Sequence, residues 1–301
     1  MCGIVGLHLR DDRLRPRLGS MVAGMLVEMT ERGPDSAGVG IYGDPRYVPD
    51  GHAAVGVLGA PDDLAAAVTR ALEAVGRNEQ VFIVHERRPT SVVHAGVGPD
   101  VLAAAVRTAA PTAVITSWGS DLAVLKGTGA PGELAESFDL TAATGWQAVG
   151  HTRMATESAV TPAGSHPFSV GADLCLVHNG SFSNHATIRR QLRADGVHFD
   201  SDNDSEVAAR FVDHELSEGA DLTKALRRLC ETFDGFYTLL VTTVDSFAVV
   251  RDPIACKPAI VAETPEWVAM ASEFRAMAGL PGIDRARIFE PEPEEIYTWK
   301  R

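Results

Sequence analysis

Cysteine is scarce in this chain of 301 residues, and the four present, Cys2, Cys175, Cys230 and Cys256, show neither a Cys-x-x-Cys pair nor a Cys/His metal-ligand spacing. So few cysteines at such spacings speak against a secreted disulfide framework and favour a reduced, cytoplasmic setting. A long apolar run is also missing. The nearest candidate, 237–250, is broken by Thr242, Thr243, Asp245 and Ser246, so no membrane-spanning helix is expected. The apolar start is cut off by Asp11 and Asp12, too early for the core of a signal peptide. Positive charge is in deficit, with 27 basic against 40 acidic residues and a net charge of −13. Such a surface repels phosphate backbones and anionic lipid, which leaves proteins and small molecules as the expected partners, not nucleic acid or membrane. Internal repeats, low-complexity tracts and long linkers are not seen either.

What remains is an ordinary globular composition, 45% hydrophobic and 22% charged, long enough for about two domains or one elaborated one. Residues 4–9 read as a short buried strand, and 17–31 carries Leu18, Met21, Val22, Met25, Leu26 and Met29 at helical spacing before a Gly33-Pro34 stop. From 52 to 117 the pattern alternates strand (52–58), helix (61–75), strand (81–86), strand (91–96), helix (100–109) and strand (112–117). This βαββαβ order predicts a split-βαβ, ferredoxin-like unit. A strand and helix follow over 122–139. Beyond residue 147 strands dominate, interrupted by helices expected at 185–195, 205–218 and 222–232. The acidic, proline-rich stretch 290–295 reads as a solvated turn.

Chemistry concentrates in five short segments. If Met1 is removed, Cys2 carries both a thiol and a free α-amine. An α-amine of ordinary pKa, about 7.7 to 8.0, can accept a proton near neutrality, so one residue could be both nucleophile and base. Second comes Arg32-Gly33-Pro34-Asp35-Ser36-Ala37-Gly38, where Gly33 and Pro34 alone need mean no more than a helix stop. Third is Gly150-His151-Thr152-Arg153-Met154-Ala155-Thr156 with Ser165-His166-Pro167; the Arg153 fork suits a carboxylate and Thr156 adds a hydroxyl. Taken singly, Arg153 reads as a surface ion-pair residue. The stretch 157–164 has the composition of a closing loop. Fourth, Val177-His178-Asn179-Gly180 ends an apolar strand with two donors, the Asn179 amide and the Gly180 N–H, which are the parts of an oxyanion hole; a plain Asn-Gly turn is the alternative. Fifth, Asp202-Asn203-Asp204-Ser205-Glu206 opens a helix, either as capping by Asp204 or Ser205 or as a carboxylate for an ammonium group.

In this order the five segments resemble the class II glutamine amidotransferases, whose N-terminal-nucleophile glutaminase domains share a CGI(V/I)G start, an RGxDSAG turn, a GHTRxAT strand end, an HNG turn and a D(S/T)E helix start. The resemblance extends through 233–237, Arg251-Asp252-Pro253, Lys257-Pro258 and Ala271-Ser272-Glu273, covering about 1–45 and 146–275. It implies an α+β fold, the four-layer αββα Ntn-hydrolase sandwich, spanning 1–301, with the ferredoxin-like unit inserted at 46–145. It also implies that Cys2 forms a γ-glutamyl thioester, that Asn179 and Gly180 hold the oxyanion, and that Arg153 and Thr156 take the α-carboxylate of glutamine and Asp204 its α-ammonium. Arg32 would fix the N-terminal strand, and His178 would lie behind the residues that touch substrate. Met154 and Glu157-Ser158 depart from the usual residues of the lid. The wide gap between residues 38 and 150 marks the insertion.

The resemblance further implies a glutaminase subunit that delivers ammonia to a separate synthase of the glutamate-synthase or N-methylglutamate type. No cofactor is expected in this chain, whereas flavin and an iron–sulfur cluster would belong to the partner. Two alternatives stay open: a stand-alone Ntn amidohydrolase of γ-glutamyl amides, and a non-catalytic subunit that senses glutamine.

Overall fold

The computed structural model describes residues 2–85, 89–154 and 161–301. The chain opens with β1 (Gly3–Leu9), α1 (Leu18–Glu28) and β2 (Ser36–Tyr42), then runs through β3 (Ala53–Leu58), α2 (Leu64–Ala74), β4 (Val81–Val84), β5 (Thr90–Ala95), α3 (Pro99–Ala109) and β6 (Val114–Gly119). Next come β7 (Leu122–Thr128), α4 (Pro131–Ser137), β8 (Gln147–Arg153), β9 (Cys175–Phe182), α5 (His185–Ala194), α6 (Asp204–Ser217) and α7 (Leu222–Thr232). The last elements are β10 (Gly235–Thr242), β11 (Ser246–Arg251), β12 (Ile260–Glu263), β13 (Trp267–Ala271), β14 (Arg287–Phe289) and β15 (Tyr297–Lys300). The helix expected over 17–31 is shorter than its periodicity suggests. It ends at Glu28, and a tight turn over Thr30–Arg32 carries the chain into the second motif.

Three sheets result. The first has the order β14-β12-β13-β1-β8-β2-β7, the second β15-β11-β10-β9, and the third β4-β5-β3-β6. β1 is buried along its whole length, as a strand must be when both faces of its sheet are covered. One face meets the second sheet: Ile4, Val124 and Val149 pack with Val177, Leu240 and Phe247. The other packs beneath α1 and α4 through Leu7, Leu26, Val39 and Leu134. The outer face of the second sheet is closed by α5, α6 and α7, whose Ile188, Val207 and Leu226 join Leu176 and Leu239. Helices, sheet, sheet, helices is thus the order through the body. Gly6 permits the sheets to close up, since a Cβ there would stand 2.5 Å from Leu240 Cδ2.

The helices obey local rules. In α7, Leu222, Ala225, Leu226 and Leu229 fall on one buried face, and Asp221 caps the start by accepting from Lys224 N at 2.8 Å. α3 begins with Pro99, whose missing N–H costs nothing in a first turn.

The third sheet has the strand order and antiparallel pairing of the split βαβ read from sequence, with α2 and α3 covering one face through Leu64, Val68, Leu102 and Val106. It spans 53–119, narrower than the range 46–145. β7 and α4 belong instead to the body, β7 as the edge strand beside β2. That edge does not stand open. Leu122 N donates to Asp173 Oδ1 at 2.9 Å, Val124 N to Ser117 Oγ at 3.1 Å and Lys126 N to Thr90 Oγ1 at 3.0 Å. Two hydroxyls of the small sheet and the Asp173 carboxylate therefore cover the edge of the large sheet with side chains rather than backbone, which satisfies it without extending the ladder. At the other end of the chain, 297–300 is a strand, β15, that pairs with β11 and buries Trp299.

Asp173 concentrates this joint, because its carboxylate accepts from Ser120 N at 2.9 Å, Asp121 N at 3.0 Å and Leu122 N at 2.9 Å. Asp173→Ala should cost about 3 kcal/mol, the scale of losing charge-assisted bonds and stranding buried donors. Urea denaturation measures it; a loss under about 0.5 kcal/mol would show the joint to be held elsewhere.

Candidate active site

Cys2 is half-buried at the start of β1. Its carbonyl accepts from Arg32 Nε at 3.0 Å and from Asn179 Nδ2 at 3.2 Å. Two residues on, the strand is clamped: Ile4 N donates to Ser272 Oγ at 2.9 Å, and Ser272 N to Ile4 O at 3.0 Å. Arg32, only 9% exposed, reaches back with Nη1 to Glu273 Oε1 at 2.7 Å. That hydrogen bond, helped by the Arg275 charge, holds the Glu273 carboxyl below its ordinary pKa. Arg275 in turn bridges Glu273 and Glu31, each at 2.8 Å. Ser272 and Glu273 stand among the sequence motifs, but their part in holding the Cys2 end was not read there. The signal that could have found them is a Ser-Glu pair directly after a strand that lies beside β1.

Asn179 and Gly180 lie in the second half of β9, the edge strand of the second sheet. On that edge Leu176 exchanges backbone bonds with Phe168 at 2.8 Å, and Phe182 N donates to Asp204 Oδ2 at 3.0 Å. Strand alternation then points the Gly180 N–H away from β10 and toward the same edge. Gly180 has φ of 151°, and a Cβ there would sit 2.0 Å from Phe236 O, so only glycine fits. Asp204 lies in the first turn of α6 with its side chain 23% exposed. The cap of that helix is Asn203, which accepts from Ser205 N at 2.9 Å. Capping therefore falls to neither Asp204 nor Ser205, and the Asp204 carboxylate is turned to the end of β9.

Arg153 ends β8 opposite Ser36 of β2. Asp35 N donates to Arg153 O at 3.1 Å, and Gly33 packs so closely that a Cβ would stand 2.5 Å from Arg153 N. The second and third motifs are thereby folded onto one another. Ser165 Oγ adds a bond to Ser36 Oγ at 2.9 Å. Thr156 lies outside the described residues, as do Glu157 and Ser158. The structure thus brings Cys2, Arg32 and Asn179 into direct contact, sets Gly180 beside Asn179, and places Asp204 on the open edge where the Gly180 N–H points.

Behind these residues, where the sequence reading set His178, lies a group of buried histidines that also includes His151 and His166, to which that reading gave no role. The rings of His151 and His166 are 4.3 Å apart between centroids, and His166 and His178 6.2 Å. His178 Nδ1 meets Ser205 Oγ at 2.8 Å and lies 4.0 Å from Asp204 Oδ1. Among the described residues no partner reaches either ring nitrogen of His151 or His166, or Nε2 of His178. Burial pushes His151 down to about 3 and His178 down to about 4, the latter against the pull of Asp204, and holds His166 well below the ordinary imidazole value. The three rings are neutral at physiological pH.

This sets a pH dependence of stability. The folded state keeps the rings neutral, while the unfolded chain protonates them below about 6.5, so the unfolded state binds more protons and stability falls as pH drops from 6.5 toward 4. Between pH 6.5 and 5 the loss amounts to roughly 2 kcal/mol per histidine at most. Chemical denaturation at several pH values should show it, with a shallower slope for His166→Asn. An unchanged midpoint between pH 7 and 5 would contradict the neutral cluster.

Residues 151–279 match the family model described as a glutamine amidotransferase domain. Over 302 aligned residues the chain is 46% identical to the glutamine amidotransferase-like protein GlxB of Rhizobium meliloti, covering 99% of this chain and 98% of that one. A putative glutamine amidotransferase of Methanothermobacter thermautotrophicus is 27% identical over the full length of both. Among solved structures, the glutamine phosphoribosylpyrophosphate amidotransferase of B. subtilis, complexed with ADP and GMP, superposes with a TM-score of 0.61 at 18% identity, over 99% of this chain and 49% of that one. The likeness in fold extends to nearly all of this chain, and the likeness in sequence runs end to end in GlxB. With the contacts gathered at Cys2, these matches show that the chain belongs to the class II, N-terminal-nucleophile glutamine amidotransferases, enzymes that hydrolyse the side-chain amide of glutamine.

Proposed function

We propose that this chain is a glutaminase subunit that works through a Cys2 γ-glutamyl thioester and delivers ammonia to a separate synthase subunit. The observation that carries the first half is the Cys2 carbonyl, bonded at once to Arg32 and to the Asn179 amide. This fixes the end of β1 within reach of the donors at the end of β9. With Met1 removed, the Cys2 α-amine takes the thiol proton and Sγ attacks the amide carbon of glutamine. Negative charge develops on the amide oxygen, where Asn179 Nδ2 and the Gly180 N–H receive it. The amine returns the proton to the leaving nitrogen, ammonia departs, and water hydrolyses the thioester to glutamate. Arg153, with Thr156, takes the α-carboxylate of glutamine, and Asp204 its α-ammonium. The Asp204 carboxylate is already aimed by Phe182 N. Arg32 positions the nucleophile, and His178 supports Asp204 through Ser205.

The helix–sheet–sheet–helix body is, in this reading, the αββα sandwich of Ntn hydrolases, and the third sheet an insertion that serves as a docking platform. α2 and α3 lie side by side on one face of that sheet with Arg70 and Arg107 exposed. An ordinary interface would need roughly 800 Å² from this chain. Any flavin or iron–sulfur chemistry belongs to the partner.

Intact-mass measurement should show active protein beginning at Cys2, and Cys2→Ala should abolish turnover while glutamine still binds. Asn179→Ala should lower kcat by about 10²–10³-fold with a smaller change in KM, because its donor acts on charge that develops in the transition state. Arg153→Lys should mainly raise KM, since an ammonium cannot reproduce a two-pronged contact. Full activity with Met1 retained would end the single-residue mechanism. The partner half is tested separately: reversing charge at Arg70 and Arg107 should weaken co-purification of the synthase and leave basal glutaminase intact. Loss of basal activity with the complex undisturbed would place the insertion in the active site instead.

A further inference from the structure

A second polar site lies where the inserted sheet meets the body. Lys126 of β7 is 3% exposed and stands on the side of the strand that turns Leu122 and Val124 toward the second sheet. Its ammonium lies 4.9 Å from the centroid of the Phe168 ring. Among the described residues neither an ion pair nor a hydrogen bond engages it. Burial pushes Lys126 down to about 8, although the charge of Glu206 on the same cavity wall pulls the other way, so at neutral pH the group is still mostly ammonium, with its hydrogen-bond donors unused.

Lys126 lines a cavity of about 40 Å³ together with Ser169, Thr116, Glu206, Ile115 and Phe168. The Ser169 hydroxyl is buried and without a partner among the described residues. The other polar walls are already used. Thr116 Oγ1 donates to Val124 O at 3.2 Å. Glu206 accepts from Asp200 N at 2.8 Å, and from Ser201 N and Ser201 Oγ, both at 2.7 Å, with Arg210 beside it at 3.4 Å. What the cavity holds in reserve is one positive charge and one hydroxyl donor.

We propose that this cavity binds a small monovalent anion, held by the Lys126 ammonium and the Ser169 hydroxyl against the Phe168 and Ile115 walls. A cavity of about 40 Å³ has room for three or four waters by the usual measure of roughly 10–15 Å³ each, which fits an anion of a few heavy atoms such as a halide, nitrate or formate. Outside it, a groove of about 310 Å³ shares Val114, Ile115, Ser169 and Asp200 with the cavity and carries Arg107 and Arg210, the latter paired with Asp200 at 2.8 Å, so among the described residues Arg107 is the cation left unpaired by a carboxylate along the approach. Glu206 of the cavity wall and Asp204 of the open edge stand in the same first turn of α6. Occupancy is therefore placed to steady that turn from behind. The binding site itself does not depend on the glutaminase reading.

Bromide is the probe. Crystals of the full chain soaked in sodium bromide should show an anomalous peak in contact with Lys126 Nζ, absent in Lys126→Met. In solution, bromide or formate replacing gluconate at constant ionic strength should raise the thermal midpoint saturably, by about 2–4 °C. The rise should vanish in Lys126→Met and shrink in Ser169→Ala, a milder change that serves if the first variant does not fold. Cys2→Ala protein should respond like the wild type, which separates this site from the failure or success of the thioester mechanism. Water alone at Lys126 in bromide-soaked crystals, or an undiminished midpoint rise in Lys126→Met, would overturn the proposal.

Discussion

The carbonyl of Cys2 is the point on which the rest of the structure turns. It belongs to the first sheet, accepts from a side chain of the second sheet through Asn179, and accepts again from Arg32, which arrives after α1. Two hydrogen bonds to one oxygen thus bring together three segments remote in sequence. A nucleophile at Cys2, as proposed, would need freedom at its thiol and amine, and the restraint is applied one atom group away, on the backbone. Ser272 continues it along the strand, and Glu273 fixes the arginine that fixes the carbonyl. Near a chain end, where order is ordinarily poorest, the Cys2 backbone is here tied by Arg32 and Asn179 together.

Much of the fold was legible because periodicity and burial agree. α7 shows its buried face as Leu222, Ala225, Leu226 and Leu229, and the split βαβ unit alternates strand and helix with clear breaks between them. Where the small sheet ends was not legible. β7 follows β6 after a short turn and has the same kind of sequence, yet it pairs with β2, far earlier in the chain. What separates the two sheets is Thr90, Ser117 and Asp173 meeting the edge of β7, and no local pattern announces that a hydroxyl will replace a strand as a neighbour. The terminal β15 was hidden for a different reason: the preceding acidic and proline-rich run suggests solvent, while Trp299 and pairing to β11 decide otherwise.

The candidate site was read from motif order more than from any single residue. Cys2, Asn179, Gly180 and Asp204 each have an ordinary alternative taken alone. Only their sequence along the chain made a site of them, and the structure then showed Asn179 on the Cys2 carbonyl and Asp204 on the edge strand. The cap was misread at Asp204 and Ser205 because Asn203, Asp204 and Ser205 all have suitable side chains; geometry gives the role to Asn203. His178 was expected behind the substrate contacts, but His151 and His166 were given no role, since a histidine announces neither its depth nor its neighbours.

Those histidines and Lys126 share one cause. The second and third motifs, the 161–173 segment and β7 converge where the two main sheets meet the insertion, and the polar groups there lie too deep for water to solvate their charged forms. For an imidazole the response is to lose its proton and stay neutral, as His151, His166 and His178 do. A lysine starts from a much higher intrinsic pKa, so the same burial leaves it still mostly charged at neutral pH. One environment therefore yields two outcomes: a neutral wall of histidines behind the Cys2 end of β1, and one retained cation at Lys126, whose hydrogen-bond donors, among the described residues, stay unused beside the Glu206 charge. The difference is set by intrinsic basicity and depth together, and it separates the part of this region that supports the glutamine site from the part equipped to hold a ligand of its own.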